Sequence, residues 1–170
     1  MSIAGYTYCS WGHLFPPEKP PAAPAKVKEL SAGMVNQSGG SITTNELDGS
    51  SVGDAILFGN NTLKKFSFDA GGALGLFSQS GFDIDEPIDA GSGIFLFTPQ
   101  FINILAGGAL ETNGTISLSA GTFIAIGDDI DSMGNPIELF AGTTITQSAG
   151  EITGSSLTGS SGGMTSLTGD

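Results

Sequence analysis

The sequence predicts an all-β protein made of short strands stacked on one another, as in a β-helix or β-solenoid. Apolar residues alternate with other residues in several short segments, and no segment keeps the apolar period of a helix. Ala-Gly follows many of these segments, as in TISLSAGTFIAIG at residues 115–127. Strands this short are not stable alone, so neighbouring units must stack and share a core. A β-sandwich with jelly-roll connections is the alternative, because it also joins many short strands through glycine turns.

Residues 1–28 form an N-terminal arm whose composition differs from the rest of the chain. The segment YTYCSWGHLFPP holds both tyrosines, the one tryptophan and the one histidine. The proline-rich PPEKPPAAPAK at 16–26 favours an extended, semi-rigid spacer. We predict that the arm docks on a neighbouring subunit or on other assembly proteins. The alternative is that its aromatic side chains cover the protein's own core.

Residues 29–153 form the predicted β-repeat body. From residue 66 onward, two alternating apolar residues followed by Ala-Gly recur, with the alanines at positions 70, 90, 106, 120, 141 and 149. The spacing of these alanines is irregular. It favours strands intertwined or packed around a threefold axis, so we predict a homotrimer. The segments that follow the Ala-Gly pairs at 70 and 120 are similar, which indicates an internal duplication with the period that separates these two pairs.

Two further segments need separate treatment. The segment 90–110 carries no charge and has the length of a spanning helix, but Pro99, Gln100 and Asn103 lie at its centre. We therefore predict two strands, 94–98 and 101–105, and no membrane span. Residues 154–170 form a Gly/Ser/Thr-rich tail that contains SLTG twice. The sequence leaves open whether this tail is a disordered linker or a final pair of strands.

The charge distribution disfavours a nucleic-acid-binding function. The chain of 170 residues has five lysines, no arginine and a net charge of −12. Lys65 is the last of the five lysines; five acids lie in the chain up to this point, and the remaining twelve acids follow without a basic residue. Nucleic acid is therefore not an expected partner, because neutralising phosphates requires clustered lysine or arginine. The N-terminus also lacks the pattern of a signal peptide, so we expect any exit from the cell to occur by lysis or through a dedicated machine.

The sequence offers poor material for catalysis. Cys9 and His13 lie four residues apart in the aromatic arm without a nearby acid, which makes a poor nucleophilic site. They would bind a metal only if symmetry-related copies met on an axis. We predict that both belong to an aromatic cluster.

The acidic segments FDIDEPID and GDDIDSMGN are the best ligand candidates. The sequence from Asp129 through Asp131 to Gly134 begins like a calcium loop, but Met133 stands where a third ligand is needed. Asp83/Asp85 or Asp129/Asp131 are the acid pairs that a glycoside hydrolase would use, although Phe82 is the only nearby aromatic residue. We predict solvated turns here, with no catalytic residue, no metal and no cofactor.

The segment NGTISLSAGTFIAIG at 113–127 resembles two known kinds of repeat. One is the β-helical spike of contractile phage tails and related injection machines, and the other is the haemagglutinin-type repeat of large secreted adhesins. The resemblance covers residues 66–153. The chain lacks the His-x-His iron site found at many spike tips, and it shows no oligosaccharide-binding barrel before the repeats.

These features predict a non-enzymatic structural component of a virion or tail-like assembly, as a spike, fibre or cementing protein. Its expected location is the virion or the extracellular space. The alternative is an extracellular adhesin or polysaccharide-binding β-module, which requires an exposed aromatic patch that the repeats do not reveal in sequence.

Overall fold

The chain forms a β-solenoid in which each coil lies on the one before it. The structure, a computed structural model, describes residues 27–169, with side chains from Ala32 onward, and this range contains nineteen strands and no helix. All strand pairings within it are parallel. The prediction of stacked short strands is therefore confirmed, and the antiparallel sandwich is not formed. Positions 1–26, which make up most of the N-terminal arm, lie outside the described range.

One side of every coil is a strand of sheet B, which has seven strands and gives the solenoid its seven turns. Its strands, in spatial order from the N-terminal end, are β2 (Val35–Gln37), β4 (Ala55–Asn61), β6 (Ala73–Ser78), β9 (Gly93–Thr98), β12 (Thr115–Ala120), β15 (Pro136–Ala141) and β18 (Ser156–Ser161). Alternate residues of these strands point inward, which is the pattern that the sequence predicts.

The remaining sides of the coils form sheet A, which has twelve strands. They are β1 (Val27–Ala32), β3 (Glu46–Ser51), β5 (Lys65–Ala70), β7 (Phe82–Ile84), β8 (Ile88–Ala90), β10 (Ile102–Ile104), β11 (Leu110–Thr112), β13 (Phe123–Ile126), β14 (Ile130–Asp131), β16 (Thr144–Gln147), β17 (Ile152–Thr153) and β19 (Thr165–Leu167).

The cross-section of the solenoid changes after β5. The start of β5 pairs with β7 and its end pairs with β8, so one straight strand is followed by two short ones. Lys65 pairs with Asp83 and Ala70 with Ala90. The two ends of this side are therefore five positions apart in one coil and seven positions apart in the next. The two extra residues form a new corner, which contains the acidic segment found in the sequence.

The irregular Ala-Gly spacing results from this three-cornered coil. Ala70 pairs with Ala90 at one corner, and Ala120 pairs with Ala141 at another, while Ala106 follows a short strand at the third. These two pairs each span one full coil, whereas the shorter steps connect different corners. The irregular spacing therefore does not require strands from several chains. The predicted duplication is wrong as a structural repeat, because Ala70 lies in sheet A and Ala120 in sheet B.

The interior consists of columns of like side chains, one from each coil. In-register pairing places each inward residue directly on its counterpart in the coil below. The main columns are Ala55, Leu74, Ile94, Ile116 and Ile137; Leu57, Leu76, Leu96, Leu118 and Leu139; Phe82, Ile102, Ile124 and Ile145; and Ile88, Leu110 and Ile130. All of these side chains are buried, and full burial of one such large apolar group stabilises the fold by about 1.5–3 kcal/mol.

The uncharged segment 90–110 and the tail are both strand-forming. The segment contains β9 and β10, separated at Pro99 as the sequence predicts. The tail supplies β18 and β19, so the final strand pair is the alternative that forms. The part of the chain that the structure describes has no helix of the length and apolarity needed to span a membrane.

Glycine at the corners allows the coils to lie one strand spacing apart. A Cβ on Gly91 would overlap the backbone carbonyl oxygen of Gly71 in the coil below, and one on Gly142 would overlap that of Gly121. The requirement is close approach of two backbones, and no side chain can move aside to relieve it.

We predict that Gly91→Ala lowers the free energy of unfolding by about 3 kcal/mol, because the added methyl group must push two coils apart. Urea unfolding of the full chain, followed by circular dichroism, measures this loss. Gly39→Ala is the matched control, since nothing lies within 4 Å of a Cβ there, and it should change stability by less than about 0.5 kcal/mol. Equal losses for the two variants would contradict the close-approach explanation.

Candidate functional site: the outer faces of the solenoid

The N-terminal half of sheet B carries apolar side chains on its outer surface as well as in the core. We call Ile56, Phe58, Phe77, Phe95 and Phe97 the aromatic face; they come from the three successive strands β4, β6 and β9. Phe58 is 51% exposed, and the other four are half-buried. These strands are therefore apolar on both sides, which is unusual for a surface that meets water.

The side chains of the aromatic face are packed against one another. The rings of Phe58 and Phe97 meet edge to face, with centroids 6.4 Å apart. Phe77 and Phe97 are in-register neighbours on adjacent strands. The ring of Phe58 lies over Gly75, where a Cβ would come within 2.8 Å of it. Gly75 thus provides the space in which this ring lies on the sheet.

The outer surface changes character toward the C-terminal end of sheet B. The positions that follow Phe95 and Phe97 in register are Ser117 and Ser119. Phe140, 41% exposed, is an isolated ring in the same column as Phe97, because Ser119 precedes it and Ser160 follows it. Glu138 is the one charged residue in the seven strands of sheet B. The sheet therefore has an apolar half and a hydroxyl-rich half, both nearly free of charge.

A second aromatic contact lies on the outer surface of sheet A. The rings of Phe101 and Phe123 are stacked, with centroids 5.1 Å apart and planes 5° from parallel. Phe123 is 36% exposed. Close to them in sequence, the side-chain amide of Asn103 donates a 2.9 Å hydrogen bond to Asp83. Phe82, the aromatic residue noted in the sequence, is instead fully buried in the core.

Sheet A also carries a column of acids. Asp69, Asp89, Glu111 and Asp131 are in-register neighbours on four successive coils. Parallel pairing places such residues about 4.8 Å apart. Like charges directly opposite one another on neighbouring strands are destabilising, so this column opposes the stacking that the core favours.

The acid pair Asp83 and Asp85 is engaged in contacts between coils. Asp83 accepts the hydrogen bond from Asn103 one coil above, and Asp85 forms an ion pair with Lys65 one coil below. The hydrogen bond to Asp85 and then its charge raise the pKa of Lys65 above its ordinary value of 10.5. Any stability from this exposed pair is therefore present below that value and lost as the pH rises through the raised pKa of the folded state.

The carboxylates of the second acidic segment accept hydrogen bonds from backbone amides. Asp129 accepts a 2.8 Å hydrogen bond from the amide of Glu151 in the next coil, and Asp131 accepts a 2.7 Å hydrogen bond from the amide of Met133. The neighbouring carboxylate of Asp128 accepts one from Gly107. Among the described residues, no group of three or more acidic, histidine or cysteine side chains is arranged to hold a metal ion. Cys9 and His13 lie outside the described residues.

A hollow lies near each end of the described part of the solenoid. One of about 230 Å³ lies in the last coil, where Gly159 follows Leu139 in the leucine column. The other, of about 380 Å³, is lined by threonines, Asn45, Leu63, Lys64 and Ser80. Neither lining contains a carboxylate, so neither hollow brings together the acid pair that hydrolysis of a glycoside requires.

The aromatic face was missed by the sequence-based analysis, although a signal for it exists. The segments AILFG, LGLF and GIFLF have apolar residues at both alternating sets of positions, which is the pattern of a strand covered on two sides. From the sequence, we predict a strand at 94–98 here but no outward apolar surface. The register that places five of these side chains together becomes visible only in the folded chain.

Comparison with protein families, with curated proteins and with solved structures found no match for this chain.

We predict that Asp89→Asn raises the free energy of unfolding by about 0.5 kcal/mol, because it removes the charge between Asp69 and Glu111. The gain should shrink in about 1 M salt, where charges are screened within about 3 Å. Urea unfolding at low and high salt measures both effects. Glu138→Gln is the control, since Ser117 and Thr158 flank that acid in register. A loss of stability in Asp89→Asn would contradict repulsion within the column.

Proposed function

We propose that this protein is a non-enzymatic structural component of a virion or tail-like assembly, as a spike, fibre or cementing protein. The observation that carries the proposal is the continuous stack of seven coils, with filled core columns running through it. Seven coils at one strand spacing each make a rigid body about 30 Å long. The resemblance of residues 66–153 to tail-spike β-helices supports the same role, whereas their resemblance to haemagglutinin-type repeats supports the second candidate below.

The chemistry of the described surface is consistent with a structural role. Of the carboxylates that would serve as catalytic pairs, Asp83, Asp85 and Asp129 accept hydrogen bonds or form ion pairs between coils. Asp131 accepts a hydrogen bond from the amide of Met133 in its own coil. Outward-facing residues are sorted by side: sheet B and strands β10, β13, β16 and β19 carry a single charged residue between them, whereas β8, β11 and β14 carry Asp89, Glu111 and Asp131. Such a body presents extended flat surfaces for assembly.

In this proposal the N-terminal arm, residues 1–28, docks on other assembly proteins, and the solenoid forms a homotrimer. The arm holds the tyrosines, the tryptophan and a proline-rich spacer, which suits attachment at a distance from the rigid body. The proposed location is the virion or the extracellular space.

Removing residues 1–26 from the chain tests this function. We expect the truncated protein to keep its β-type circular dichroism and its urea midpoint, because the described coils begin at Val27. We also expect its copy number, measured by quantitative mass spectrometry in purified particles from producing cells, to fall at least tenfold relative to the full chain. Absence of the full chain from such particles would contradict the proposal.

The second candidate is an extracellular adhesin or polysaccharide-binding module. The stacked Phe101 and Phe123 near the Asp83–Asn103 hydrogen bond favour it, because sugars bind where apolar rings lie next to polar groups.

Calorimetric titration of the full chain with neutral polysaccharides tests this candidate. Phe123→Ser should weaken binding at least about tenfold if these rings contact the sugar, whereas Phe140→Ser should leave it unchanged. No heat of binding with any polysaccharide would eliminate this second function.

A further inference from the structure

We infer that the aromatic face is the surface through which one copy of this chain binds a second copy, with the two solenoids parallel. The inference rests on the proposed function for the direction of the arms, and it replaces the threefold arrangement proposed there with a pair of facing solenoids. It names Ile56, Phe58, Phe77, Phe95 and Phe97 as the centre of the interface.

The exposure of this surface is the first argument for a partner. Its five apolar side chains lie on three adjacent strands and cover about 300 Å² in projection, a size at which an apolar patch on a monomer is often functional. The rings of Phe58 and Phe97 contact each other, and the lack of a side chain at Gly75 leaves room for the ring of Phe58 on the sheet. A preformed, apolar and aromatic surface loses little side-chain freedom when it binds.

The charge distribution identifies the partner as another copy. The chain carries a net charge of −12, so most of its surfaces repel those of a second copy. Sheet B is nearly neutral, since Glu138 is the one charged residue in its seven strands. The side of sheet A formed by β7, β10, β13, β16 and β19 likewise carries only one, Asp83. The acids of the column Asp69, Asp89 and Glu111 lie in sheet A, away from this contact. A basic partner would bind the acidic side of sheet A, whereas two copies repel each other least through sheet B, the nearly neutral side that carries the aromatic face.

The required area favours parallel solenoids. The whole outer surface of sheet B covers about 670 Å² in projection, close to the roughly 800 Å² per partner of a standard interface. Parallel solenoids overlap along the full sheet and place apolar half on apolar half and hydroxyl-rich half on hydroxyl-rich half. Antiparallel solenoids match their aromatic faces over the apolar half alone. The parallel arrangement also places both N-terminal arms at the same end, as common attachment to an assembly requires.

The first experiment measures self-association of the full chain by sedimentation equilibrium. We expect an oligomer at about 50 μM, and at least about 100-fold weaker association for Phe77→Thr/Phe97→Thr, tenfold for each ring. Threonine suits an outward strand position, and unchanged circular dichroism and urea midpoint would show that the variant is folded. Phe123→Thr is the matched control, because this exposed ring lies on the outer surface of sheet A, away from the proposed contact.

Three results would overturn the inference. The first is a wild-type chain that stays monomeric at about 100 μM. The second is equally strong association of the wild-type and the double-variant chains. The third is a monomeric full chain that associates once residues 1–26 are removed, because the arm of the same chain then covers this surface. A monomer that is nevertheless incorporated into particles would leave the proposed function standing, whereas an oligomer absent from particles would leave only the interface.

The second experiment tests the orientation. A spin label at Thr158→Cys, in a Cys9→Ser background, lies on the outer surface of β18, the last strand of sheet B. Parallel solenoids should give label separations below about 25 Å, because facing sheets lie about 10 Å apart. Antiparallel solenoids centred on β6 would give about 40 Å, four coils on each side of the centre, and would overturn the parallel arrangement.

Discussion

The hydrogen bonds between successive coils are the constraint on which the rest of this structure depends. Parallel pairing fixes neighbouring coils about 4.8 Å apart at every side of the solenoid. Within the strands this spacing is compatible with any side chain, because side chains there point into the core or out to solvent and not toward the next coil. At the corners the chain turns, and a Cβ there would point along the solenoid axis into the coil below. Gly91 over Gly71 and Gly142 over Gly121 are consequences of that one distance.

The same spacing makes each outward position part of a column. Asp69, Asp89 and Glu111 come from three different coils, yet each lies within one strand spacing of the next. Phe77 and Phe97 are brought together in the same way on the other sheet. A substitution at one position therefore changes the surroundings of the positions one coil away, and the charge and apolarity of the surface depend on whole columns of residues.

Acidic residues have two distinct roles in this arrangement. Some accept hydrogen bonds from the amides of neighbouring coils, as Asp129 does from Glu151 and Asp128 from Gly107. Others, such as the outward-facing Asp89, give sheet A its negative charge. Sheet B, with Glu138 as its one charged residue, is a surface where like-charged copies can approach.

The sequence by itself determined the strands and the solenoid, because alternation and Ala-Gly corners depend on residues close together in the chain. The break at Pro99 and the burial of Ile94 and Leu96 follow from the same local pattern. Register was decided only by the tertiary structure, since it depends on coil lengths that vary by a few residues at the corners. For that reason the apparent duplication is not a structural repeat, and the alanines at 70 and 120 belong to different sheets. The aromatic face depends on register in the same way. Its apolar residues are recognisable in the sequence, but the contacts among them are not.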